Sequence, residues 1–189
     1  MQHPLEVSNA KGSARLLCLS LVGSKMVTGE KFSESSLQAL IAASQPNRTM
    51  LLYPDLPPDR TLPVAVPPPL DPAYLNNPAQ LRLIVLDGTW RKSRKMLYLN
   101  PILQRLPRLA LRDTGGSNYL IRKAHRPDQL STLEATCAAL AQLEGRGEPF
   151  LPLLKAFDGF VAQQMAYQFD APHRTAMGDT GGDDEIFNP

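Results

Sequence analysis

Runs of apolar residues, punctuated by glycine, proline and capping residues, divide the chain into short segments of differing type. Ala14-Arg15-Leu16-Leu17-Cys18-Leu19-Ser20-Leu21 reads as a short buried helix with Ser13 as its cap, a strand being the alternative. Lys25 to Thr28 predicts a brief strand. Ser33 to Ala43 predicts a helix capped by Ser33 and stopped before Pro46, and Met50-Leu51-Leu52-Tyr53 a buried strand running into Pro54. Nine of the 18 prolines then fall between Pro54 and Pro78, which excludes a helix or an interior strand there. That stretch is predicted to be an extended connection, with Leu62 to Val66 along a sheet edge. A loop so long in a small domain usually is functional or covers something, and its prolines favour a fixed wall over a floppy lid.

The second half of the chain repeats the alternation. Leu81 to Leu86 predicts the central strand, because Leu83-Ile84-Val85-Leu86 is uninterrupted and runs straight into Asp87-Gly88-Thr89. Trp90 to about Leu99 predicts a helix capped by Thr89 and ended by Asn100-Pro101. On it Arg91 and Lys95 share a face with Lys92 beside them, while Trp90, Met96 and Leu97 are expected to turn toward the core. Pro107 to Leu111 reads as a strand and Thr114 to Asn118 as a turn. For the basic segment Tyr119 to Arg126 the sequence does not decide the local structure. Gln129 onward predicts a strong helix reaching about Leu143, with Ser131 as cap and Glu134 three residues on completing a capping box. Phe150 to Phe169 reads as a last long helix, and the acidic tail from Gly178 as disordered. Strands alternating with helices predict one α/β domain with a mostly parallel sheet flanked by helices.

Composition narrows the class. A chain of 189 residues suits a single domain with a sizeable core, and no window is apolar for long enough to span a bilayer. Met1-Gln2-His3-Pro4 lacks the basic start and apolar run of a signal peptide, so the cytoplasm is the expected compartment. Cys18 and Cys137 have no second cysteine at metal or redox spacing and read as buried reduced thiols. His3 and His125 likewise lack partners at metal spacing, so no metal is expected.

Charge changes the picture more than these totals. From Ala79 to Arg126 there are 11 Lys and Arg against only Asp87 and Asp113, leaving 9 positive and 16 negative residues elsewhere. A near-neutral chain with one concentrated basic third is what a nucleic-acid binder can look like. Asp87 stands at the carboxyl end of a buried strand, where α/β proteins place small ligands. Thr89 opens a helix whose first amides suit an anionic group.

At Asp87-Gly88-Thr89-Trp90 the chain resembles the DTW-domain family, named after an Asp-x-Thr-Trp motif. Further segments match in order: His3-Pro4-x-Glu6 with the small residues through Ser13 and then Arg15-Leu16, Leu51-Leu52-Tyr53-Pro54, Arg94-Lys95-Met96, and Tyr119 with Arg122-Lys123 ahead of Leu130-Ser131-Thr132-Leu133-Glu134-Ala135. The match extends to about Phe169. Many bacterial members carry a cysteine-rich zinc-binding segment ahead of the His-Pro-x-Glu region, and this sequence has no counterpart to it. The expected domain is residues 1–177, with 178–189 as the tail.

The resemblance implies a tRNA-uridine aminocarboxypropyltransferase with a SPOUT-like, knotted fold. Such an enzyme moves the 3-amino-3-carboxypropyl group of S-adenosylmethionine to N3 of a uridine in tRNA and releases methylthioadenosine. Asp87 is then the candidate base, helped by a pKa raised through partial burial; its rival roles are capping the helix, anchoring the loop or holding the donor's amino group. The donor cradle is expected from Leu52, Tyr53 and Pro54, from Gly88, Thr89 and Trp90, and from Leu130, Ser131 and Thr132. For Trp90, core packing outweighs a base-stacking role, and for Ser131 the cap alone is an adequate account. Arg91, Lys92, Arg94, Lys95, Arg122, Lys123 and Arg126 are the expected contacts to tRNA phosphates. No protein partner is implied. Two other readings stay open: a SPOUT-like RNA methyltransferase, and a noncatalytic RNA-binding module.

Overall fold

The computed structural model describes residues 1–8, 12–42, 48–55, 60–112 and 130–174. Its centre is a three-stranded parallel sheet built from β1 (Arg48–Leu52), β2 (Leu81–Val85) and β3 (Arg108–Leu109), in the order β2-β1-β3. Leu51 and Leu52 pair with Ile84 and Val85 on one side and with Arg108 and Leu109 on the other. The strands therefore end together, and the loops that follow them converge.

This order corrects one expectation. β1 is the central strand, buried through Thr49, Met50 and Leu51, while β2 is half-buried along its whole length. An unbroken apolar run shows that a strand is covered on both faces, but not how many neighbours it pairs with. At its carboxyl end β2 gains one more partner from the start of the chain. Met1 N donates to Val85 O at 2.7 Å, Asp87 N to Met1 O at 2.8 Å and His3 N to Asp87 O at 2.9 Å. Gln2 also bridges in parallel to Thr28, which is what the predicted strand at Lys25 to Thr28 amounts to.

Helices cover the sheet in three apolar groups. α1 (Ser13–Ser20), α5 (Thr132–Glu144) and α6 (Leu151–Arg174) share a core of Leu17, Leu133, Cys137, Phe150, Leu154 and Phe157. Met50, Leu109 and Ala139 join the sheet to α5. On the opposite face α2 (Glu34–Ala42), α3 (Trp90–Leu99) and α4 (Pro101–Gln104) close over Leu37, Leu51, Tyr53, Met96, Leu97 and Leu103. Burying each such leucine is worth about 1.5–3 kcal/mol, so these faces hold the layers together.

Local capping explains most of the helix boundaries. Thr89 caps α3, Ser131 caps α5 with the complete capping box, and Gly145 ends α5 at φ 68°. Ser33 Oγ accepts from Ser36 N at the start of α2, as expected. Ser13 instead lies inside α1, whose cap is Gly12 with no side-chain bond. Cys18 is half-buried rather than buried.

From residue 60 onward the proline-rich connection has no helix or strand apart from 3₁₀ turns at Pro72–Asn76 and Pro78–Gln80, where proline sits in a first turn and loses no hydrogen bond. Leu62 to Val66 does not pair along a sheet edge. Side chains hold it instead: Arg94 Nε donates to Leu62 O at 3.2 Å, Ala65 N donates to Gln104 Oε1 at 2.8 Å, and Arg108 Nη2 reaches Ala65 O at 3.5 Å. Prolines remove the donors a ladder needs, so buried polar side chains supply the bonds.

Candidate functional site

The ends of the three strands, the start of α3 and the start of α5 enclose a cleft of about 540 Å³. Its wall includes Leu52, Tyr53 and Pro54 after β1, Gly88, Thr89 and Trp90 after β2, and Leu130 and Thr132 before α5. Eight of the nine residues singled out as a donor cradle thus line one cavity. The ninth, Ser131, is engaged as the helix cap, its Oγ accepting from Glu134 N at 3.2 Å while Glu134 Oε2 accepts from Ser131 N at 2.7 Å.

Several wall residues escaped the sequence reading: Val85, Leu86, Ser93, Leu109, Leu111 and Ala135. Two carried a usable signal. Ser93 lies one helical turn beyond Thr89, and Ala135 one turn beyond Ser131, so each shares a face with a residue already chosen. Leu109 and Leu111 follow only from the pairing of β3 beside β1.

Tyr53 organises the inner wall. Its hydroxyl shares a 3.2 Å hydrogen bond with Ser93 Oγ, and the Arg108 guanidinium lies 5.7 Å from the ring centroid. Burial pushes the Tyr53 phenol above its ordinary pKa, partly offset by the Ser93 bond, and pulls the Arg108 guanidinium below its own. Arg108 Nε is buried without a hydrogen-bond partner among the described residues. Trp90 meets Tyr53 edge-on, with centroids 6.0 Å apart and planes at 81°. Trp90 is 59% exposed, not packed in the core as expected. As the first residue of α3 it projects from the end of the helix, where Met96 and Leu97, later on, already fill the inward face.

Asp87 is half-buried and held on both oxygens. Thr132 Oγ1 donates to Oδ1 at 2.6 Å and Gln2 Nε2 to Oδ2 at 3.1 Å. Asp87 lines a second cavity, about 600 Å³, which runs along the outer edge of β2 between α1, α2 and α5; Thr132 lines both. Gln2 was not foreseen, because a contact spanning 85 positions has no local signature. Gly88 leaves space here: a Cβ would come 3.2 Å from Lys92 Cβ and 3.5 Å from His3 Cβ.

The basic face of α3 is less free than its composition suggests. Lys92 Nζ pairs with Glu6 Oε1 at 2.7 Å, and Lys95 Nζ with Glu30 Oε1 at 3.0 Å. His3 Nε2 shares that Glu30 oxygen at 3.0 Å while His3 Nδ1 accepts from Leu5 N, which places the ring proton on Nε2. The bond from Lys95, then that from His3, hold the Glu30 carboxyl below its ordinary pKa. Arg94 turns to the proline-rich wall, and Arg91 is exposed with no ion pair among the described residues. Arg122, Lys123 and Arg126 lie outside the described residues, as does His125.

Among the described residues no three His, Cys, Asp or Glu side chains are grouped to hold a metal ion, and no helix is long and apolar enough to cross a membrane.

The DTW domain matches residues 1–165. The chain belongs to the DTW-domain family. It is 29% identical over 172 residues to tRNA-uridine aminocarboxypropyltransferase 2 of Macaca fascicularis, covering 88% of this chain and 55% of that protein. It is 32% identical over 154 residues to the protein of the same name from Drosophila melanogaster, covering 78% of this chain and 56% of that one. The chain thus spans about half the length of the curated relatives it matches. No solved structure matches it. Within this DTW domain the family's Asp-x-Thr-Trp segment contributes to both cavities at once: Asp87 lines the edge cavity, while Thr89 and Trp90 line the cleft.

Proposed function

We propose that this chain transfers the 3-amino-3-carboxypropyl group of S-adenosylmethionine to N3 of a uridine in tRNA. The observation that carries the proposal is the convergence of Leu52 to Pro54, Gly88 to Trp90, and Leu130 with Thr132 on one cleft at the carboxyl ends of parallel strands. The names of the relatives support the reaction and its RNA substrate.

The cleft fits the donor. Its volume falls within the usual range of roughly 300–1,000 Å³ for small-molecule sites, and its lining mixes leucines with loop backbone and a few hydroxyls. The sulfonium donor supplies an electrophilic carbon: the N3–C bond forms as the C–S bond breaks, the electron pair goes to sulfur, and the imide proton leaves. Leu52, Leu86, Leu109 and Leu111 exclude water from that exchange, while Thr89 and the first amides of α3 suit a carboxylate. Asp87, which lines the adjoining edge cavity and meets the cleft through Thr132, is the candidate acceptor of the imide proton. Its two hydrogen bonds use about half of a carboxylate's acceptor sites, so it remains able to take one. The same bonds also make it the tie between the start of the chain, the β2–α3 loop and α5.

In this reading Arg91 meets RNA phosphates directly, and Arg122, Lys123 and Arg126 belong to the same footprint. The finer fold assignment, a SPOUT-like knotted domain over residues 1–177, rests on the family resemblance, and the parallel sheet with its cleft at the strand ends supports only its α/β part. The deciding experiment incubates the full chain with unmodified tRNA and S-adenosylmethionine, then reads the mass of the digested nucleosides. An aminocarboxypropyl-uridine peak with methylthioadenosine released is the expected result. A methylated uridine would identify a methyltransferase, and retained but unmodified tRNA a binding module.

A further inference from the structure

We infer that the open face of Trp90 is the platform on which the accepting uracil stacks, an inference that rests on the proposed transfer to RNA. A tryptophan 59% exposed at the mouth of an apolar cleft leaves a large ring surface in water. Loose packing does not account for it, because the ring is buttressed. Tyr53 abuts it edge-on at 6.0 Å, and Tyr53 is itself fixed by Ser93 Oγ at its hydroxyl and by the buried Arg108 guanidinium at its face. The indole is therefore braced by a fixed neighbour while more than half of its surface stays in water.

The position distinguishes the two planar groups that meet in this reaction. A small donor is enclosed by the strand-end loops. A base on a macromolecule enters from the mouth, where Trp90 stands beside exposed Arg91, which suits the neighbouring phosphate. Base-modifying enzymes unstack the target nucleotide, and a protein aromatic replaces the lost stacking without depending on hydrogen-bond pattern. Ring and cation at adjacent positions, Trp90 and Arg91, supply both parts of that exchange.

Trp90 is the single tryptophan of the chain, so intrinsic indole fluorescence reports this site alone. A short oligouridylate is expected to quench it, and an abasic oligonucleotide of equal length and charge is expected not to. Trp90→Ala should weaken oligouridylate binding about tenfold, and Trp90→Phe should retain it within about threefold, since stacking needs a ring but not an indole. Trp90 also lines the donor cleft, so Trp90→Ala should lower S-adenosylmethionine affinity, measured by calorimetry, but by a smaller factor than it lowers oligouridylate affinity if the ring serves the acceptor. Equal quenching by the abasic strand overturns the inference. So does loss of donor affinity with oligouridylate affinity intact, which would put the adenine on this ring. Absence of any modified uridine, with quenching by oligouridylate preserved, would refute the transferase reading and leave the platform standing.

Discussion

Thr132 Oγ1 donates to Asp87 Oδ1 at 2.6 Å, joining the first residue of α5 to the loop after β2 across 45 positions of sequence. Asp87 Oδ2 accepts from Gln2, so one carboxylate ties three segments together. A hydrogen bond to a charged group is worth about 1.5–3 kcal/mol, so Thr132→Val should lower the unfolding free energy by roughly that amount and Thr132→Ser should largely preserve it. Asp87→Asn keeps an oxygen for Thr132 and should fold better than Asp87→Ala. Urea titrations of the four variants check the order. Equal stability of Asp87→Asn and Asp87→Ala would show that the tie is dispensable, leaving chemistry as the reason for this acid.

Ser131 gives a second separation of roles. Its hydroxyl is engaged with Glu134 N, so Ser131→Ala should cost about 1 kcal/mol of stability, within the usual range for a lost cap, and change donor affinity by less than about twofold. Ser131→Asp, which can also cap, should restore most of the stability. A selective loss of donor binding in Ser131→Ala, with stability intact, would instead return Ser131 to the cradle.

These two sites mark what could be read from the sequence. Thr89 and Ser131 announced their helices because capping acts over three residues, and both helices begin where the signals lie. The cleft was legible for the same reason, since strand ends followed by turn residues are local patterns. The edge position of β2, the exposure of Trp90 and the bond from Gln2 were not. Each is decided by which distant segment arrives beside the residue, and a period or a cap carries no record of that. The pairing of Lys92 with Glu6 and of Lys95 with Glu30 belongs to this second class: α3 displays its cations in sequence while their partners lie far upstream.

That pairing alters the expected contribution of each cation to RNA binding. Lys92 and Lys95 are already balanced by carboxylates, whereas Arg91 is exposed with no ion pair among the described residues. Arg91→Ala should therefore weaken tRNA binding and reduce the slope of log affinity against log salt by about 1, and Lys92→Ala should change that slope less. Glu30→Gln releases Lys95 and should steepen the slope. Binding isotherms over a range of salt concentrations test all three. If Lys92→Ala and Arg91→Ala behave alike, RNA displaces Glu6 from the helix on binding.

Cys137 provides a test of the α1–α5–α6 core that is independent of the site. Burial among Leu17, Leu133, Ala141 and Phe150, then the nearby charge of Glu134, push its thiol up to about 11 from an ordinary 9.0. Below pH 9 the thiol is protonated in both folded and unfolded chains, and its stabilising contribution is fully present. As pH rises from 9 toward 11 only the unfolded chain releases the proton, so that contribution is lost, by roughly 2–3 kcal/mol at the upper end. Lysines and tyrosines titrate in the same window, so the informative quantity is the difference from a variant lacking the thiol. Cys137→Ala should start less stable at pH 8, because it leaves a small cavity in a fully buried position. Its deficit relative to the parent should then shrink as the pH approaches 11. In parallel, a thiol reagent at neutral pH should modify half-buried Cys18 while leaving Cys137 protected until the chain unfolds. A deficit constant from pH 8 to 11, or modification of Cys137 in the folded protein, would mean that water reaches the thiol and that α5 and α6 are not closed over it.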